Sequence, residues 1–123
     1  MQIKTNTKEK FHAITVMESS LTANMADELA KTLEPYLQND IKNLVIILAN
    51  VAIMDVAIAK KLVEIQQFFY ENNASFVVCE INKSIEGFLD EHELLELFNA
   101  TPTESEAWDI VQMEEIEREL MGD

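Results

Sequence analysis

Apolar and polar positions change rhythm along the chain, and each rhythm predicts an element. Residues 2–8 alternate weakly through Ile3, Thr5 and Thr7, and Lys8-Glu9-Lys10 reads as a turn. Phe11 to Met17 is rich in β-branched and apolar residues, so the two segments predict a hairpin. Ser19, Ser20 and Thr22 then offer turn and cap chemistry before a helix. In that helix Met25, Leu29 and Leu33 recur every four residues as one apolar stripe. Pro35 should end or kink it, because proline lacks the N–H and clashes with the preceding turn.

The middle of the chain is more strongly marked. Leu44 to Ala49 is a continuous apolar run, the pattern of a strand covered on both faces. Ile58, Leu62, Ile65 and Phe69 recur at i, i+4, i+7 and i+11, one face of a second helix. Ser75 to Ile81 is another buried-strand pattern. A third helix covers residues 83–91, with Ile85, Phe88 and Leu89 inward. Residues 94–99 fit either a short strand or a continuing helix. Thr103 and Glu106 have capping-box spacing and open a last helix. Its stripe is Ala107, Ile110, Met113, Ile116 and Leu120, with Glu114, Glu115, Glu117 and Glu119 mostly on the solvated side. Strands alternating with helices imply βαβ units, hence one α/β domain with a mixed sheet.

Length agrees with one domain, since 123 residues fall within the usual range of about 100–150. Charge adds something the pattern does not show. Residues 1–61 carry seven Lys and seven acids and are neutral, whereas residues 62–123 carry 16 acids against Lys83 and Arg118. The whole formal charge of −14 therefore belongs to the second half. A field of that sign repels phosphate backbones and anionic lipid headgroups, so nucleic acid and bare membrane are poor partners. It serves solubility or the docking of a basic partner. The absence of a span-length apolar run or a signal-peptide pattern, together with a single cysteine, leads us to expect a soluble, cytoplasmic protein.

Most catalytic motifs are missing. Gly87 and Gly122 are the chain's two glycines, which excludes a dinucleotide fingerprint or a P-loop. His92-Glu93-Leu94-Leu95-Glu96 begins like a zinc-protease helix, but Glu96 stands where the second His must be. The C-terminal acids lack the loop glycine and ligand spacing of a calcium site. His12 and Cys79 lie in expected strands, where each reads as structural. Asn-x-Ser/Thr triplets at Asn73, Asn82 and Asn99 are chance matches unless the chain is secreted. Asp55 stands out, between an apolar stretch and a striped helix. It reads as an N-cap, replaceable by Asn with little loss of stability. The carboxyl ends of strands in open α/β sheets are also where ligands and partners bind.

From Ile3 to Ala107 these segments together resemble a STAS domain, the fold of bacterial anti-sigma factor antagonists. Glu18 stands in the place of the family's Gly-Glu-Leu-Asp turn, followed by the Thr22–Leu33 helix and the Leu-Val-Ile-Ile-Leu strand. Val51, Ile53, Met54 and Asp55 match the segment Val-x-Phe-Met-Asp-Ser-Ser-Gly. Val77-Val78-Cys79 falls on the next strand, Leu94-Leu95-x-Leu97-Phe98 on the family's Leu-Phe segment, and Glu104-Ser-Glu-Ala107 on the opening of the final helix. The resemblance implies a four- to five-stranded mixed sheet with about four helices packed mainly on one side, continued by an acidic amphipathic helix over 104–120. It places a partner-binding surface at Glu18, Ser19, Ser20, Asn50, Asp55, Val56, Ala57 and Lys60, with Asn82 and Lys83 nearby.

The departures are informative. Phosphorylation-regulated members carry a Ser after the Asp and a further hydroxyl residue after it. Here those positions are Val56 and Ala57, so the phosphoacceptor is lost. The two family glycines are Ile58 and Lys60, and Ile47, Ala49 and Leu21 replace polar residues. The resemblance implies a protein-interaction module without catalysis, cofactor or metal, acting on an anti-sigma factor or regulatory kinase. It also allows a soluble subunit of an ABC-type transport complex, or a nucleotide sensor, although no phosphate-binding loop is present. Neither the partner nor the oligomeric state follows from the sequence.

Overall fold

The computed structural model describes residues Met1–Met121. The Lys8–Lys10 turn joins β1 (Ile3–Thr7) to β2 (His12–Val16) in an antiparallel hairpin, in which Ile3 faces Val16 and Thr7 faces His12. A two-residue strand β3 (Ser20–Leu21) and a 3₁₀ turn lead into α1 (Ala26–Leu33), whose Leu29 and Leu33 are buried. Pro35 does end this α-helix, but the chain continues as a 3₁₀ turn over Glu34–Gln38, where proline fits near the first position. Then follow β4 (Leu44–Ile47), the short β5 (Ile53–Met54), α2 (Val56–Glu71) and β6 (Phe76–Cys79). The chain closes with α3 (Lys83–Glu91), α4 (Leu95–Phe98) and α5 (Glu104–Leu120). The ambiguous segment 94–99 is thus a single helical turn, ended by Asn99 in the left-handed region at φ 51°.

The main sheet runs β1-β2-β4-β6, with parallel pairing everywhere except β1 against β2; β3 and β5 form a separate parallel pair. Successive parallel strands are always added on the same side. Right-handed crossovers then place the connecting helices on one face. That face, carrying Ile14, Leu44, Ile46, Phe76 and Val78, packs against Leu29, Ile58, Leu62, Ile65, Phe69, Ile85, Leu89 and Phe98. The alternate strand positions Ala13, Val45, Ile47, Val77 and Cys79 point to the other face, which Ala107 and Val111 of α5 cover. Strands β4 and β6, covered on both faces, are therefore apolar without alternation, as the runs in the sequence require.

The third and second helices match their expected stripes, but α5 does not. Met113, Ile116 and Leu120 were expected inside and are 59, 56 and 80% exposed, while Glu114 and Glu115, expected in solvent, are half-buried. The reason lies at the end of the sheet where β4 and β6 begin. The buried Asn43 side chain accepts from Ser75 N–H (2.8 Å) and Arg118 (3.3 Å) and donates to the Lys10 carbonyl (2.9 Å) and Glu115 (2.8 Å). Arg118 also donates to Ser75 Oγ (3.2 Å), and Tyr70 donates to Glu114 (2.9 Å). Buried polar groups left without partners cost about 1–3 kcal/mol each, so this end of the sheet draws the polar edge of α5 inward. Small Ala107 and Val111 seat the helix, and Trp108 stacks on Phe11 with ring centroids 5.1 Å apart. The larger apolar residues are turned outward.

Candidate interaction surface at the start of the second helix

The segment Ala49–Val56 links the carboxyl end of β4 to α2, and three sets of hydrogen bonds fix its course. Ser19 C=O accepts from both Ala52 N–H (2.8 Å) and Ile53 N–H (3.1 Å), and Asp55 N–H donates to Leu21 C=O (3.1 Å). Asn82 caps α3 by accepting from Ile85 N–H (2.8 Å) and donates to Val51 C=O (2.9 Å), which holds the start of α3 against the same segment. Asp55 supplies the third set. One carboxylate oxygen accepts from Ile58 N–H (2.9 Å) as the N-cap of α2. The other accepts from Ala23 N–H (2.7 Å) in the turn before α1. Asp55 is a cap and a cross-tie at once, which no spacing rule reveals, since Ala23 is distant in sequence.

This second bond changes the expectation for Asp55→Asn. An amide presents one acceptor oxygen, so Asn can keep the cap but must turn an N–H₂ group toward a backbone N–H at Ala23.

The remaining residues divide by role. Ser19, Asn50, Ala57, Lys60, Asn82 and Lys83 are exposed; Ser20 and Val56 are half-buried, with Val56 packed on the main core. Ile58 is wholly buried. Glu18 is turned toward the hairpin, where it accepts from Gln2 N–H (2.7 Å). Two apolar side chains absent from the expected set stand at this end of the sheet. Ile53 is 62% exposed and Met17 is 48% exposed, and Asn50 Nδ2 lies 3.5 Å from the Met17 sulfur. The alternation of Ile53 outward with Met54 inward on a two-residue strand was the available signal.

His12 and Cys79 lie away from this surface, and each has a structural place. His12 Nε2–H donates to Ile41 C=O (3.1 Å), and its Nδ1 accepts from the Thr7 hydroxyl (2.9 Å). Cys79 is buried, and its thiol is pushed from 9.0 up to about 12 by burial first, then by the Glu80 and Glu104 carboxylates. It stays protonated and unreactive at neutral pH. Among the described residues no three His, Cys, Asp or Glu side chains converge to hold a metal ion, and no helix is long and apolar enough to cross a membrane.

A sequence model of the STAS domain matches residues 2–107. The chain belongs to the STAS domain family. Solved structures share its fold at low identity. An anti-sigma-factor antagonist (STAS) domain protein from Planctomyces limnophilus is 17% identical, with TM-score 0.74 over 89% of this chain and 97% of that one. Unphosphorylated SpoIIAA, an anti-sigma factor antagonist of Bacillus, is 12% identical, with TM-score 0.69 over 90% of this chain and 96% of its own. The murine Slc26a9 anion transporter is 10% identical, with TM-score 0.66 over 85% of this chain but 18% of the transporter. No curated protein matches the chain in sequence.

Proposed function

We propose that this STAS domain is a non-enzymatic protein-binding module whose contact surface is the start of α2 and the two segments bonded to it. The observation that carries the reading is the exposure of Met17, Ile53 and Ala57 on segments that hydrogen bonds tie together around the helix N-terminus. Val56 and Ala57 lack a hydroxyl, so binding here is not switched by phosphate at the usual position. SpoIIAA, by contrast, exists in phosphorylated and unphosphorylated forms. The partner is an anti-sigma factor or a regulatory kinase in bacterial signalling.

Replacing Val56 by Asp tests this surface. Val56 is half-buried and packs partly on the core, but it opens α2, where the helix N-terminus tolerates an anion. Circular dichroism and the melting temperature should therefore change little. Ala57→Asp, at the exposed neighbour, should act alike on binding. Capture of the partner from native lysate should fall at least about tenfold, because a charge in an apolar contact must be desolvated without a cation. Equal capture would place the interface elsewhere. Peptide mapping after incubation with lysate and ATP checks the lost switch: stoichiometric phosphate on Ser19, Ser20 or Thr22 would show that another residue has taken it over.

The match to part of an anion transporter favours one other reading, a subunit of a membrane transport complex. Mass spectrometry of the captured partner decides between them: a kinase or anti-sigma factor in the first case, a permease or its ATPase in the second.

A further inference from the structure

The outward face of α5 lies beyond residue 107, where the STAS match ends, and on the opposite side of the sheet from α2. Met113, Ile116 and Leu120 stand at i, i+3 and i+7, so they form one stripe directed away from the sheet-facing Ala107 and Val111. Exposed Glu106, Asp109, Glu117 and Glu119 border it, and the cation of this helix, Arg118, is turned inward to Asn43 and Ser75. An apolar stripe at this spacing is the shape that receives an amphipathic helix. Its acidic borders select the charge of that helix.

We propose that this face docks a basic amphipathic helix of a partner protein, with apolar residues on the stripe and Lys or Arg against the bordering acids. A second copy is a poor occupant. Pairing α5 with itself about a two-fold axis brings together two acid-bordered faces with no outward cation on either helix. An anionic lipid surface meets the same repulsion. A basic helix turns each of these charges into an attraction and keeps the apolar contact.

The test uses the full chain and two synthetic helical peptides of about 18 residues. Both carry Leu at i, i+3, i+4 and i+7; one has Lys on its flanks and the other Glu. Fluorescence anisotropy should show the Lys peptide binding at least about tenfold tighter than the Glu peptide, with the preference shrinking as salt rises. Ile116→Ser should weaken the Lys peptide about tenfold while circular dichroism stays unchanged, and Leu120→Ser should do the same. Val56→Asp should leave peptide binding intact, which separates this face from the α2 surface. Equal binding of both peptides, no binding, or indifference to Ile116→Ser would overturn the proposal. So would concentration-dependent self-association, or flotation with phosphatidylcholine vesicles, that Ile116→Ser abolishes.

Discussion

Helices α2 and α5 both carry apolar stripes in the sequence and use them in opposite ways. All four stripe residues of α2, Ile58, Leu62, Ile65 and Phe69, are buried against the sheet. Of the five in α5, Ala107 is buried, Ile110 is half-buried and the other three face outward. A stripe therefore reports that a face exists, and what lies opposite decides whether it is covered. Opposite α2 is a wide apolar sheet face. Opposite α5 that face ends in Asn43 and Ser75, two buried polar residues that require Glu115 and Arg118 nearby.

The largest contrast should appear in stability. Phe69→Ala empties a fully buried site and should lower the unfolding free energy by about 3–5 kcal/mol in urea titration. Ile116→Ser should change it by no more than about 0.5 kcal/mol. A comparable loss at both positions would erase the distinction between the two helices.

Asn43→Ala tests why α5 is rotated. It strands Ser75 N–H and the Lys10 carbonyl, and should cost about 1–3 kcal/mol. A change below about 0.5 kcal/mol would mean that the polar network does not set the orientation of α5.

Cys79, between α5 and the sheet, gives a pH test. Its folded thiol titrates near 12 rather than 9.0, so above pH 9 the unfolded chain loses this proton while the folded chain keeps it. The unfolded state then binds fewer protons, and stability falls as pH rises, by about 1.4 kcal/mol per unit between 9 and 12. Below pH 9 this contribution is flat. Burial, reinforced by the Glu114 carboxylate, also holds the Tyr70 phenol above its ordinary value, and adds a second falling limb above pH 10. Denaturation curves of wild type and Cys79→Ala should therefore diverge between pH 9 and 10. Parallel profiles would show that the thiol is reached by water.

At the other end of the sheet the expected effects are smaller. Asp55→Ala should cost about 0.5–2 kcal/mol, and Asp55→Asn a smaller share that falls on the Ala23 contact rather than on the α2 cap. Amide exchange should then quicken at Ala23 in the Asn variant and stay slow at Ile58. Equal protection at both amides would return Asp55 to a simple cap.

These differences also explain how far the sequence could be read. Local signals located β4, α2, β6 and α3 closely, because each depends on residues near one another in the chain. Asp55 as a cap was legible for the same reason. Its bond to Ala23 was not, because it depends on β3 pairing with β5 across a long sequence separation. The rotation of α5 was hidden by the same kind of distance: Asn43 and Ser75 meet Arg118 through the order of strands in the sheet. The family resemblance pointed by motif to the start of α2 as the surface to test, yet it could not show that Glu18 bonds the hairpin.

The proposed interface can be tested most directly by placing a photo-crosslinking amino acid at Ile53, and separately at exposed Lys31 as a control, in the full chain inside cells. Irradiation should join position 53 to one protein partner, give no product at position 31, and lose the position 53 product when Val56→Asp is added. A position 53 product that survives Val56→Asp, or no product there at all, would contradict a binding surface at the start of α2.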